Sequence, residues 1–162
     1  MTQTIHFRHG DSLKILKELP DNSVGCFILD PPYGIEFMGK AWDAPWKVIE
    51  GSSELGFSRS FQVWCGIWLT ECLRTLVPGG KIKIFGATRM FHRLAQAMED
   101  VGFTLDPEKS LEAWAYGSGF PKSLNLTKAF TKADKLQEAA QFEGYGTALK
   151  PAWEPFLVGS KT

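Results

Sequence analysis

The sequence predicts an α/β fold, a mostly parallel sheet with helices on both faces in three layers. Two observations carry this. First, residues 4–8 alternate like a short strand, Gly10, Asp11 and Ser12 turn the chain into a helical pattern over 13–19, and residues 24–29 form an unbroken apolar run of strand length. A strand-helix-strand unit with short connections and an apolar second strand points to parallel strands buried on both faces. Second, the alternation continues with helical spacing over 61–76, a strand over 81–85, a helix over 88–101 and a strand at 103–105.

Each element has a local signal. Asp11 or Ser12 is the expected N-cap of the first helix, and Pro20-Asp21-Asn22-Ser23 is a turn. Pro78-Gly79-Gly80 stops the second helix, and Thr88 after Ala87 starts the third. Residues 111–116 read as a strand, 124–140 as a helix, 144–152 as a loop and 155–159 as a last short strand. Residues 34–60 show no clear period and carry several Gly and Pro. Loops of that length in compact domains are usually functional or disordered, so residues 36–60 are expected to be mobile without substrate and to close as a lid. With no repeat and no dividing linker, residues 1–162 read as a single domain.

Composition narrows the function. Hydrophobic residues at 44% and charged residues at 22% exclude wholesale disorder. Eighteen Lys and Arg balance eighteen Asp and Glu, which argues against tight autonomous nucleic-acid binding, since that draws on a basic excess. Six Trp and twelve Phe are an unusual share; most of the rings are expected in the core, and a surplus in loops would suit a surface that stacks on bases or a cofactor. Cys26, Cys65 and Cys72, odd in number and set in apolar segments, read as buried, reduced thiols of an intracellular protein. No signal pattern and no apolar stretch near 20 residues occurs, so the expected location is cytoplasmic. His92 has no second His or Cys at metal spacing, and no metal site is expected.

Chemistry concentrates at Asp30-Pro31-Pro32-Tyr33. Ligand sites of open α/β sheets lie beyond the carboxyl ends of strands, where this tetrapeptide falls if residues 24–29 form a central strand. Two prolines fix φ and remove two N–H donors, leaving a rigid frame of carbonyl acceptors. With the Asp30 carboxylate and the flat Tyr33 ring, the loop can receive an aromatic ring bearing an amino group.

In this setting Asp30-Pro31-Pro32-Tyr33 resembles the catalytic loop of DNA methyltransferases that modify the exocyclic amine of adenine or cytosine. The approach through Gly10-Asp11-Ser12, Leu16 and Pro20-Asp21-Asn22-Ser23-Val24 is similar to the class whose catalytic motif precedes its cofactor motif. Phe85-Gly86-Ala87-Thr88-Arg89, Gly117-Ser118-Gly119-Phe120-Pro121-Lys122-Ser123 and Gly146-Thr147-Ala148-Leu149-Lys150-Pro151-Ala152 look like segments of phage and prophage methylases. The resemblance implies a Rossmann-like methyltransferase sheet and a site-specific enzyme. It would transfer a methyl group from S-adenosylmethionine to a base flipped out of double-stranded DNA. It implies that Asp30 and the Pro31 carbonyl accept from the base amine, that Pro32 stiffens the loop, and that Tyr33 stacks on the base. Asp rather than Ser at the first motif position favours adenine by analogy, with cytosine open. Gly34, Trp42, Trp46, Phe120 and Lys122 are the candidate substrate contacts, with Asp43 a further possible wall of the pocket. Gly10 and Asp11 are the candidate cofactor contacts, Asp11 being read equally well as a helix cap. Arg89, His92 and Arg93, near a helix start, read as phosphate contacts or as a solvated face.

The glycine-rich cofactor loop of such enzymes is not found in residues 1–162, so the sheet is expected to be incomplete. Gly117-Ser118-Gly119 follows a strand pattern but lacks the acidic lead-in, and reads as a turn. The expectation is that this chain alone binds the cofactor poorly and that a downstream segment or a second chain supplies the missing motif. The alternatives are a catalytically inactive remnant or binding module, or half of a split enzyme.

Overall fold

A computed structural model of the chain describes residues 4–117, 124–146 and 152–162. The chain folds as two units, one formed by Met1–Ala113 with Glu154–Thr162, the other by Trp114–Trp153.

The first unit opens with α1 (Ser12–Lys17), whose N-cap is Asp11, its carboxylate accepting from the Leu13 N–H at 3.0 Å. The Asn22 turn leads into β1 (Val24–Leu29), and α3 (Phe57–Thr75) into β2 (Leu76–Phe85). Arg74 fastens α1 to α3, its guanidinium donating to the carbonyls of Leu16 and Leu19 at 3.0 Å each and pairing with Asp21 and Glu71. β1 and β2 are parallel, with Phe27 opposite Ile82 and Leu29 opposite Ile84. β5 (Trp153–Ser160) lies antiparallel to β2 on its other side, and β3 (Thr104–Leu105) antiparallel to β5. β1, β2 and β3 therefore run in one direction with β5 reversed between the last two; β4 (Leu111–Ala115) also pairs with β5.

One face of this sheet carries the core. Ile82 and Ile84 are fully buried against Leu69 and Cys72 of α3 and Leu94 and Met98 of α4 (Phe91–Val101), with Leu13 and Leu16 of α1 packed on the same cluster. Gly159 of β5 lies where α4 crosses; a Cβ there would stand 2.8 Å from the Met98 methyl carbon. Aromatic rings fill part of this layer, Phe57 packing on Trp46, Trp46 on Phe61, Phe61 on Trp64 and Trp64 on Trp68. Cys65 and Cys72 are buried as expected, and burial pushes both thiols up, Cys72 to about 12.

The structure corrects several expectations. β1 is neither central nor buried on both faces: it is the edge of the described sheet, and Ile28 is 73% exposed. The helices α1, α3 and α4 share one cluster on one face, so the second helical layer over β1 is absent among the described residues. Cys26, on that open face, is exposed rather than buried. Residues 4–8 form no strand, with Ile5 and Phe7 exposed, because no neighbour among the described residues offers them a ladder. The stretch after Tyr33 is not structureless. It forms three short 3-10 turns (Phe37–Gly39, Ala41–Asp43 and Pro45–Val48) and α2 (Ser52–Leu55), and its last residues already belong to α3. In the second unit the helical pattern over 124–140 breaks into α5 (Leu126–Lys132) and α6 (Leu136–Gln141), because Asp134 takes a left-handed φ of 56°.

Candidate active site

Asp30 is the first residue beyond β1, so the parallel pair delivers its carboxylate to the carboxyl edge of the sheet. Pro31 and Pro32 carry the chain onward without a donor, and Tyr33 is half-buried. Gly34 follows at φ 71°, buried over the Phe61 ring, and a Cβ built on it would lie 2.4 Å from Phe61 Cδ2. Both conformation and space demand glycine. Gly34→Ala is therefore expected to destabilise the chain by about 1–3 kcal/mol, combining a left-handed penalty with overpacking of a buried ring. Urea unfolding should show this as a lowered midpoint at unchanged slope.

Two cavities flank the loop, and Asp30, Pro31 and Pro32 line both. The first, of about 520 Å³, is walled by Tyr33, Ile35, Phe37 and Trp42, with Glu154 closing one side. The second, of about 460 Å³, lies toward α1 and α3. Gly10, Ser12 and Arg8 line it with Ile15, Leu16, Leu29, Trp64 and Trp68. The Tyr33 hydroxyl donates to Glu154 Oε2 at 3.4 Å. Burial first, then the hydrogen bond and charge of Asp30 and the charge of Glu154, drive the Tyr33 phenol far above its ordinary value. It stays a neutral donor at any physiological pH.

Asp30, Pro31, Pro32 and Tyr33 thus meet at the first cavity, and Trp42 joins them as a wall, its ring 6.4 Å from that of Phe37. Trp46 does not: it is 3% exposed and packs edge-on against Phe57 and Phe61 in the core. Asp43 borders the cavity but is 1% exposed, and its carboxylate is taken up by backbone N–H groups. Gly10 lines the second cavity, whereas Asp11 caps α1. Arg89 rests over the Phe57 ring and Arg93 donates to Gln62, which engages both within the fold. Phe120 and Lys122 lie outside the described residues, as do Ser118 and Gly119 of the Gly-Ser-Gly turn.

Sequence reasoning alone does not single out Glu154 as a site residue. It stands 121 residues from Tyr33, and only the reversal of β5 brings it near. Because β5 runs antiparallel to β2, its first residues arrive at the carboxyl end of the parallel strands. A polar residue heading an apolar strand is the available signal.

This sheet, with its reversed strand, is the fold of the S-adenosylmethionine-dependent methyltransferases. The PvuII DNA methyltransferase, cytosine-N4-specific, superposes with a TM-score of 0.58 at 18% identity, over 94% of this chain and 48% of that one. Solved structures of the same fold include M1.HpyAVI in complex with S-adenosylmethionine, with a TM-score of 0.52 at 15% identity, over 98% of this chain and 55% of that one. The chain is similar in sequence to type II DNA methyltransferases. It is 25% identical to the type II methyltransferase M.HindIII of Haemophilus influenzae over 174 residues, covering 92% of this chain and 55% of the relative. It is 31% identical to M.HpaI of Haemophilus parainfluenzae over 115 residues, covering 70% of this chain and 32% of the relative. The chain spans about half the length of M.HindIII and less of M.BamHI, M.HinfI and M.HpaI. No protein-family model matches it.

Proposed function

We propose that this chain is the base-binding half of a DNA amino-methyltransferase, with adenine as the target. The observation that carries this reading is the sharing of one rigid loop by two cavities. A group-transfer enzyme needs its two reactants in contact across a fixed geometry, and Asp30-Pro31-Pro32 borders both chambers. In this reading the first cavity takes the flipped base. Tyr33, Phe37 and Trp42 offer faces for stacking, which offsets part of the unstacking cost of a few kcal/mol. Asp30 and the Pro31 carbonyl accept from the amine N–H groups and orient its nitrogen toward the second cavity. The Asp30 carboxylate favours positive charge developing on that nitrogen and can accept its proton afterwards.

The second cavity fits part of S-adenosylmethionine: apolar walls from Ile15, Leu16, Leu29 and the two Trp rings suit a flat heterocycle, and Asp30 suits a cationic sulfonium. When bound, that cofactor supplies an electrophilic methyl group. The remaining contacts come from a segment carrying the glycine-rich motif, in the same polypeptide or on a second chain. The open edge of β1 and the exposed Ile28 support such a segment pairing there. Residues 36–60 give Phe37 and Trp42 to the wall of the first cavity.

The test joins residues 1–162 to the cofactor-bearing segment of a relative and assays methyl transfer to duplex DNA, with nucleoside digestion to identify the product. N6-methyladenine is the expected product, and N4-methylcytosine would correct the target base. A folded, cofactor-binding chimera that methylates neither base would leave the binding-module reading.

A further inference from the structure

We propose that Asp43 is the positioning residue of the first cavity, holding the loop that follows the catalytic tetrapeptide in its base-receiving shape without touching the base itself. The proposal rests on the base-pocket reading above.

Asp43 is 1% exposed, an unusual place for a carboxylate unless its oxygens are fully engaged. They are. Oδ1 accepts from the Gly34 N–H at 3.0 Å, and Oδ2 from the N–H groups of Ile35 at 3.2 Å and Phe37 at 2.8 Å. The Asp43 carbonyl accepts from the Glu36 N–H at 3.3 Å, so four consecutive backbone donors converge on one residue. Glu36 takes a left-handed φ of 53° within this knot, and its carboxylate pairs with Lys47 at 2.8 Å. A non-glycine residue there is strained and persists only when its surroundings fix it.

The consequence for the cavity is direct. Gly34 follows Tyr33, so anchoring its N–H fixes where the tyrosine leaves the rigid Pro31-Pro32 frame. Ile35 and Phe37 are wall residues, and Trp42 is the neighbour of Asp43 in sequence. One carboxylate therefore sets three walls of the cavity relative to Asp30, and pre-forming a pocket removes an ordering cost from binding. The short 3-10 turns, in place of an aperiodic loop, are what this knot makes possible.

The experiment uses the 162-residue chain and its Asp43→Ala, Asp43→Asn and Asp30→Asn variants. Backbone hydrogen exchange is read over residues 33–43, and binding of 2'-deoxyadenosine is read by saturation-transfer NMR titration. Asp43→Ala is expected to lose protection at Gly34, Ile35 and Phe37 while α3 and β2 keep theirs, and to weaken nucleoside binding by about tenfold or more. Asp43→Asn, which keeps one accepting oxygen, should fall between wild type and alanine in both readouts. Asp30→Asn should weaken binding with the loop still protected. Unchanged binding in Asp43→Ala, or lost protection across α3 and β2 as well, overturns the positioning role alone. A wild-type chain that binds no nucleoside overturns the base-pocket reading, and the positioning role with it.

Discussion

Asp30→Ala, made in a chain that carries the cofactor segment, is expected to lower the turnover rate for methyl transfer by at least about 10²–10³-fold, the cost of removing one preorganised electrostatic partner from a developing charge. Asp30 is exposed at the mouth of both cavities and outside the buried core, so the substitution opens no void. The melting temperature should be unchanged within a few degrees, which separates a chemical loss from unfolding. Asp30→Asn should lie between the two, because the amide keeps an acceptor for one amine N–H but brings no negative charge. Steady-state rates with saturating DNA and cofactor measure this. If Asp30→Ala kept full turnover and lost only affinity for DNA, Asp30 would be a binding group, and the transfer role assigned to it would fall.

The parts of the fold legible in the sequence are those written in local signals. Asp11 caps α1 as its position before a helical pattern implies, and the runs at 24–29 and 155–159 lie in strands, the second within the longer β5. What the sequence hides concerns partners that lie far away along the chain. An apolar strand is buried on both faces only if something covers both, and the described residues cover one face of β1, leaving Ile28 and Cys26 open. The apolar run records that the strand needs two covers, without recording where the second comes from. For the same reason residues 4–8, with strand-like alternation, find no strand partner among the described residues.

The site divides along similar lines. Asp30-Pro31-Pro32-Tyr33 is readable because rigidity, acceptors and a flat ring are contiguous. Trp42 and Trp46, four residues apart in one loop, look equivalent in sequence, yet one walls the cavity and the other enters the core. The Asp43 knot separates them: it turns the chain so that Trp42 stays with the cavity while Trp46 reaches Phe57 and Phe61. A carboxylate that accepts from several backbone donors looks, in sequence, like any loop aspartate. Glu154 is hidden by topology, since the reversed β5 sets it beside Tyr33.

The second large effect concerns the cofactor: residues 1–162 alone are expected to bind S-adenosylmethionine no tighter than about 1 mM, a binding free energy near −4 kcal/mol. The second cavity gives apolar walls, but Asp30 is the one acidic side chain among its lining residues, and it must also serve the base. A ligand with a ribose diol, a free amine and a carboxylate needs partners for each, and polar groups buried without them cost about 1–3 kcal/mol apiece. Adding the glycine-rich segment, in the same polypeptide or in trans, should tighten binding by about a thousandfold, roughly 4 kcal/mol. Transfer should appear with it, because alignment of the two reactants contributes about 7–11 kcal/mol to lowering the barrier and is lost when one is not held. Isothermal titration of both forms with S-adenosylmethionine measures the difference. Micromolar binding by residues 1–162 alone would overturn the expectation, and would make Gly117-Ser118-Gly119 the first place to look for the cofactor's contacts.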